Sequence, residues 1–343
     1  MPSKVLVVRF SAIGDMVLTT PVVRCLKQQR GAEIHYLTKR TFASVLAGNP
    51  CIDQLITIDK SVREVGEQLR AVQYDHVIDL HHNLRSLQVK RLVGAPSSSF
   101  PKLNVEKWLL VNFKVDRMPD LHIVERYFKT VERLGVTYDG QGLDFYIDAA
   151  ARAEAAPLMP AGPYIAMAIG AGLRTKCLEP DQMVTLARQI DLPVILLGGP
   201  QDRKVGEHIA GLCPRATNLA GKVSIGASAA VVDGASLLIT PDTGLMHIAA
   251  ALNTPVISVW GNTVPAFGMT PFYADHSNVP QAVIEVPGLP CRPCSKIGYD
   301  TCPRGHFRCI RQLPLDRIVN LVHNWLGNGD EVPDAASPSM EGG

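Results

Sequence analysis

Residues 237–260 read LLITPDTGLMHIAAALNTPVISVW. The apolar run Leu237–Thr240 stops at Pro241-Asp242-Thr243-Gly244, a helical stretch follows over Leu245–Leu252, and a second apolar run occupies Pro255–Val259. Each run is too short for a helix and apolar nearly throughout, as parallel strands covered on both faces are. The unit is therefore strand, helix, strand. Working outward, Tyr164–Ile169 and Pro193–Leu197 repeat the strand pattern, with a helical stretch at Pro180–Gln189 between them. Val5–Phe10, Glu33–Leu37, Gln54–Ile58 and His76–Leu80 form an earlier series. Repeated strand–helix alternation predicts an α/β, doubly wound architecture.

The repeat breaks at residues 149–163, AAARAEAAPLMPAGP, where small residues and prolines interrupt it. The expected organisation is a Rossmann-like domain over 1–150, a linker over 151–163 and a second Rossmann-like domain over 164–326. Residues 327–343, GNGDEVPDAASPSMEGG, are polar and rich in Gly and Pro, and are expected to be disordered. Two such domains face a central cleft at the carboxyl ends of their strands, where ligands bind in these folds.

A length of 343 residues and an apolar fraction of 46% allow two real cores. The net charge of +2, without basic clustering, speaks against nucleic acid as a partner. No apolar run reaches the roughly 18–20 residues of a membrane-spanning helix. Arg9 interrupts Val5-Leu6-Val7-Val8 too early for a signal peptide. The expectation is a cytoplasmic protein whose eight cysteines are reduced.

The candidate chemistry lies at strand ends. After the first strand comes Ser11-Ala12-Ile13-Gly14-Asp15. Asp15 either caps a helix or takes a proton from an attacking hydroxyl, although a helix N-terminus weakens a carboxylate as a base. The turn lacks G-x-G-x-x-G, which argues against a dinucleotide fold. Asp242, Thr243 and Gly244 open a helix whose free N–H groups suit a pyrophosphate, with His247 one turn on; a capped helix with a packed histidine is the plain alternative. Thr175 and Lys176 follow the Gly170-Ala171-Gly172 turn and suit phosphate charge. Asp202, after Gly198-Gly199, suits a ribose hydroxyl. His81, Asn83 and Arg85 follow the strand ending at Leu80 and offer donors to a sugar or phosphate, or simply form a surface loop. Cys291, Cys294, Cys302 and Cys309, with His306, allow a structural zinc or thiols packed in an ordered loop.

Together, VLVVRFSAIGDMVLTTPVVRCLK, DLHHNLRS, AIGAGLRTKCLEP, ITPDTGLMHIAAALNTPVISVWG and CRPCSKIGYDTCPRGHFRCI resemble glycosyltransferase family 9, the ADP-heptose:lipopolysaccharide heptosyltransferases. The resemblance covers nearly the whole chain. It implies a GT-B fold and an inverting transfer that needs no metal and no cofactor. By position it makes Asp15 the general base and Ser11, Gly14, His81, Asn83 and Arg85 the acceptor side. Thr175, Lys176, Asp202, Asp242, Thr243, Gly244 and His247 become the donor site. It implies ADP-heptose as donor and a lipid-linked anionic saccharide as acceptor. Lys102, Lys107 and Trp108-Leu109-Leu110 are then candidates for touching the inner-membrane surface. The family's usual K-x-W-P is here Lys176-Cys177-Leu178-Glu179-Pro180, without the tryptophan. A nucleotide-sugar epimerase on the same scaffold and a zinc-stabilised nucleotide-binding protein are the rival expectations.

Overall fold

A computed structural model describes residues 3–327; the expected disordered tail, from residue 328 on, lies outside the described residues. One sheet contains β1 (Lys4–Val8), β2 (Glu33–Lys39), β3 (Gln54–Ile58), β4 (His76–Asp79) and β5 (Ser97–Ser99), ordered β3-β2-β1-β4-β5. The other contains β6 (Ile165–Ala168), β7 (Val194–Leu197), β8 (Ala216–Asn218), β9 (Leu237–Pro241), β10 (Val256–Trp260) and β11 (Gln281–Glu285), ordered β11-β10-β9-β6-β7-β8. Every neighbouring pair is parallel. Val5, for example, lies opposite Ile34 on one side and His76 on the other.

Both sheets wind outward in two directions from their first strand. The switch points fall between β1 and β4 in the first sheet and between β6 and β9 in the second. The crevice beyond the carboxyl ends of those strands is where such folds take ligands. All the strand-end segments singled out above, except Asp202 after β7, follow one of these four strands.

Local chemistry explains the helices that frame the site. Pro21 sits in the first turn of Thr20–Arg30, where its missing N–H is harmless, and Gly31 at φ 59° closes that helix. Pro180 does the same for Pro180–Gln189. The expected linker is only partly one. Ala149–Ala155 is a helix, because the Asp148 side chain accepts the Ala151 N–H at 2.7 Å. Its Ala151 packs on Gly226, where an added Cβ would come within 2.9 Å.

The two halves share a core. Met16 and Val17 from the helix Ile13–Val17 belong to the same buried cluster as Met246 and Ile248 of the helix Gly244–Ala251. Further bonds seam the halves together. The Ile123 N–H donates to the Gly268 carbonyl at 2.7 Å, and Lys114 Nζ donates to the Pro293 carbonyl at 2.7 Å.

Candidate active site

The two switch points meet at a pair of glycines. A Cβ on Gly14 would lie 2.5 Å from His247 Cδ2 and 3.4 Å from Gly244 Cα; one on Gly244 would lie 2.6 Å from Ile13 Cγ2. Gly14 is not among the glycines of positive φ. Its missing side chain allows close helix-to-helix approach. Gly244 likewise admits the first domain rather than a ligand alone.

Asp15 sits one residue beyond that contact. Its Oδ2 is 2.7 Å from Arg9 Nη2 and accepts the Ala12 N–H at 3.2 Å, while no partner occupies Oδ1 among the described residues. Arg9 is held in turn. It donates to the Ser11 carbonyl at 2.7 Å, the Leu80 carbonyl at 2.5 Å and Tyr127 Oη at 3.1 Å. Burial by itself pushes the Asp15 carboxyl up, but Arg9 and the Ala12 amide outweigh it and hold the group below the usual carboxylate range. Asp15 is thus an ionised carboxylate at physiological pH, with one oxygen free among the described residues.

On the opposite side, Lys176 Nζ donates to Asp242 Oδ2 at 2.6 Å and to the Asp242 carbonyl at 3.4 Å. Thr263 Oγ1 donates to the same Oδ2 at 3.1 Å. An ammonium has three donors, so Lys176 keeps one for a ligand. His247 lies between the two pairs and feels Asp242, Asp15 and Lys176. Burial pushes its ring down to about 4, so it is neutral at physiological pH, and Nδ1 has no partner. His247 is packed as a wedge against Gly14.

Beside this lies a cavity of about 580 Å³. It is lined by Gly170–Gly172, Gly198–Asp202, Gly221–Val223, Ile225, Ser228 and Thr243–Leu245, with Ile13 reaching in from the first domain. Two glycines make room for Asp202. A Cβ on Gly170 would stand 1.9 Å from Asp202 Oδ2, and one on Gly198 would stand 2.9 Å from Asp202 Cβ. Burial pushes the Asp202 carboxyl up, against the Gly199 N–H that donates to it at 2.8 Å. Asp202, Thr243 and Gly244 therefore share one cavity wall, and Lys176 with Asp242 stands apart from it.

Other expectations change. Thr175 is buried; its hydroxyl accepts the Tyr299 N–H at 2.7 Å and lies 3.1 Å from Asn262 Oδ1. It is a strut behind the Lys176 loop, not a phosphate contact. The strut is supplied by the cysteine-rich segment, whose Arg292 donates to the Gly261 and Thr263 carbonyls at 2.6 and 2.8 Å. No three His, Cys, Asp or Glu side chains among the described residues form a group able to hold a metal ion. Cys291 Sγ meets His306 Nε2 at 3.8 Å and Cys294 Sγ donates to the Cys291 carbonyl, so the thiols pack within the loop. Where the tryptophan of K-x-W-P is missing, Leu178 is buried in the second core.

On the acceptor side, Asn83 caps the helix Leu84–Val93 by accepting the Ser86 N–H at 2.9 Å. Its carbonyl takes part in the cap, and its NH2 group keeps two donors. Asp79 organises this loop, accepting from the His81 and His82 amides and from Ser86 Oγ. His81 is pushed down to about 4, chiefly by burial, and its Nδ1 has no partner. Arg85 lies over the Phe10 ring at 5.3 Å, and the Ser11 carbonyl is taken by Arg9.

Of the residues expected at a membrane, Leu110 is buried and Lys107 turns inward, 5.8 Å from the centre of the Phe267 ring. Trp108 faces outward. The sequence reading missed Arg9, Tyr127 and Arg126. A charge closing the apolar run Val5–Val8 was the available signal for Arg9, since a buried charge implies a partner.

Two facing Rossmann-like domains with a cleft between their switch points are the GT-B architecture of glycosyltransferases. The family model of glycosyltransferase family 9 (heptosyltransferase) matches residues 62–297, and the chain belongs to that family. Lipopolysaccharide heptosyltransferase 3 of Escherichia coli (strain K12) is 31% identical over 285 residues, covering 74% of this chain and 81% of that protein. Lipopolysaccharide heptosyltransferase 1 of Pseudomonas aeruginosa is 26% identical, covering 85% and 86%. The crystal structure of a family 9 glycosyl transferase from Veillonella parvula superposes with a TM-score of 0.68 at 25% identity, over 82% of this chain and 85% of that one. E. coli ADP-heptose lps heptosyltransferase II shares the fold at a TM-score of 0.71 and 20% identity, over 94% and 98%. Family membership sets the epimerase and the non-enzymatic readings aside.

Proposed function

We propose that this enzyme transfers a heptose from ADP-heptose to a lipopolysaccharide inner-core acceptor by single in-line displacement. The observation that carries the reading is the Gly14–Gly244 contact, which seats Asp15 against the mouth of the donor helix. The acceptor hydroxyl attacks the anomeric carbon as the bond to the diphosphate oxygen breaks. Asp15 Oδ1 takes the hydroxyl proton late, once the forming C–O bond has made it acidic enough for a weak base. The electron pair leaves on the β-phosphate. There the free Lys176 donor and the N–H groups opening Gly244–Ala251 meet the growing charge. Asp202 accepts from the ribose in the cavity. Family relatives named as lipopolysaccharide heptosyltransferases, and the E. coli heptosyltransferase WaaC solved with ADP, support this choice of donor and acceptor.

The enzyme works at the cytoplasmic face of the inner membrane. No helix among the described residues is long and apolar enough to cross it. The helix Asn104–Phe113 instead turns Val105, Trp108 (50% exposed) and Phe113 (60% exposed) outward, while Lys107 and Leu110 turn in. That apolar outer face meets the bilayer while the inner face lines the acceptor cleft. The test is release of ADP from ADP-heptose with and without a truncated core acceptor. Acceptor-dependent release is expected; release that ignores the acceptor, or none, overturns the reading.

A further inference from the structure

Arg126 is the largest charged side chain in the interior, 1% exposed. Its Nη2 donates to the Phe267 carbonyl at 2.6 Å, while Nε and Nη1 have no partner among the described residues. An unpaired guanidinium in such a place is costly unless an anion completes it. Lys107 Nζ lies over the ring of the same Phe267, at 5.8 Å from its centre. Neither cation has an ion-pair partner among the described residues. Two basic groups thus converge on one residue of the second domain with no carboxylate between them. Burial, then Arg126 and Lys296, push the Lys107 ammonium down to about 8, and Asp15 is near enough to oppose that. Lys102 also feels Arg9, Asp79, Asp15 and Lys296.

We propose that Arg126 and Lys107 form a subsite for one anionic group of the acceptor, a carboxylate or phosphate on the sugar unit next to the attacking hydroxyl. This rests on the transferase reading above. Because Phe267 belongs to the second domain, an anion here also ties the halves together when acceptor is bound. Arg126 fixes the group, and Lys107 contributes most of what a single substitution can remove without emptying the core.

The test compares the full-length wild type with Lys107→Met and Lys107→Arg, using the truncated core acceptor and the same acceptor with its anionic group esterified. The expected result is an acceptor KM raised about tenfold or more in Lys107→Met, as loss of a bond to a charged group implies. Donor KM and melting temperature stay unchanged, Lys107→Arg recovers, and the esterified acceptor shows no difference among the three. An equal penalty on the esterified acceptor, or no penalty on either, overturns the subsite. Saturation-transfer NMR with glucuronate, glucose 6-phosphate and glucose reads the same site without turnover. Binding of one of the two anions but not glucose, lost in Lys107→Met, supports it and tells carboxylate from phosphate. Should ADP-heptose give no transfer while this loss is seen, the transferase reading fails and the subsite stands; normal transfer with unchanged anion binding fails the subsite alone.

Discussion

The two switch points carry the same device, an aspartate paired with a basic residue beside a helix N-terminus, yet they are built for different work. Arg9 is anchored by Ser11, Leu80 and Tyr127 besides Asp15, and its side chain is 9% exposed. Among the described residues Lys176 has only Asp242. The first pair is therefore fixed, and the second can share its cation with an incoming phosphate. A carboxylate clamped on one oxygen keeps its charge and its aim on the other. An ammonium tethered at one point can follow a charge that moves as the bond breaks. Fixed anchoring suits the proton acceptor, and loose tethering suits the leaving group.

Asp15→Asn is the hardest blow to this contrast. Turnover is expected to fall about 10²–10⁴-fold with circular dichroism and donor KM unchanged; near-normal turnover removes Asp15 from the chemistry. Lys176→Met should cost about 10²–10³-fold, in kcat more than in donor KM, since the charge it meets grows during the reaction. Equal loss in Asp242→Asn would show that the second pair is as rigid as the first.

pH separates the pairs next. The folded Asp15 is depressed, so it stays ionised, and its pairing stabilises the fold, above the unfolded carboxylate range. Both are lost only as pH falls through the lowered value. The acid limb of kcat/KM therefore lies below the ordinary carboxylate range, and Arg9→Gln should move it upward. Gly14→Ala, which drives a methyl into His247, should cost about 1–3 kcal/mol in chemical denaturation. Trp108→Glu should leave soluble-acceptor kinetics alone and reduce sedimentation with anionic vesicles.

Eight strands were legible as apolar runs: seven lie inside their sheets, and the edge strand β3 still carries Leu55, Ile56 and Ile58. The three that were not, β5, β8 and β11, are all edge strands. Ser97–Ser99 and Ala216–Asn218 carry little apolar signal because each is three residues long and mostly polar. The candidate site was legible as strand ends, which follow from the repeat and its glycines. Partnership was not. Whether Thr175 or Asn83 faces a ligand or a backbone amide depends on Tyr299 and Ser86 being there to take it, and the first of those is 124 residues away. Lys107 looked like surface because a lysine's direction on a helix is set by what packs beneath it.

Gly14 and Gly244 stand 230 residues apart in the chain and belong to different domains, yet a side chain on Gly14 would strike His247 and one on Gly244 would strike Ile13, across the same helix contact. In evolutionary terms they are one trait. Neither can drift alone: a lineage that gains a methyl at one position must move the opposing helix before it can keep an active cleft. The pair should therefore be inherited together, even where the donor sugar or the acceptor has changed.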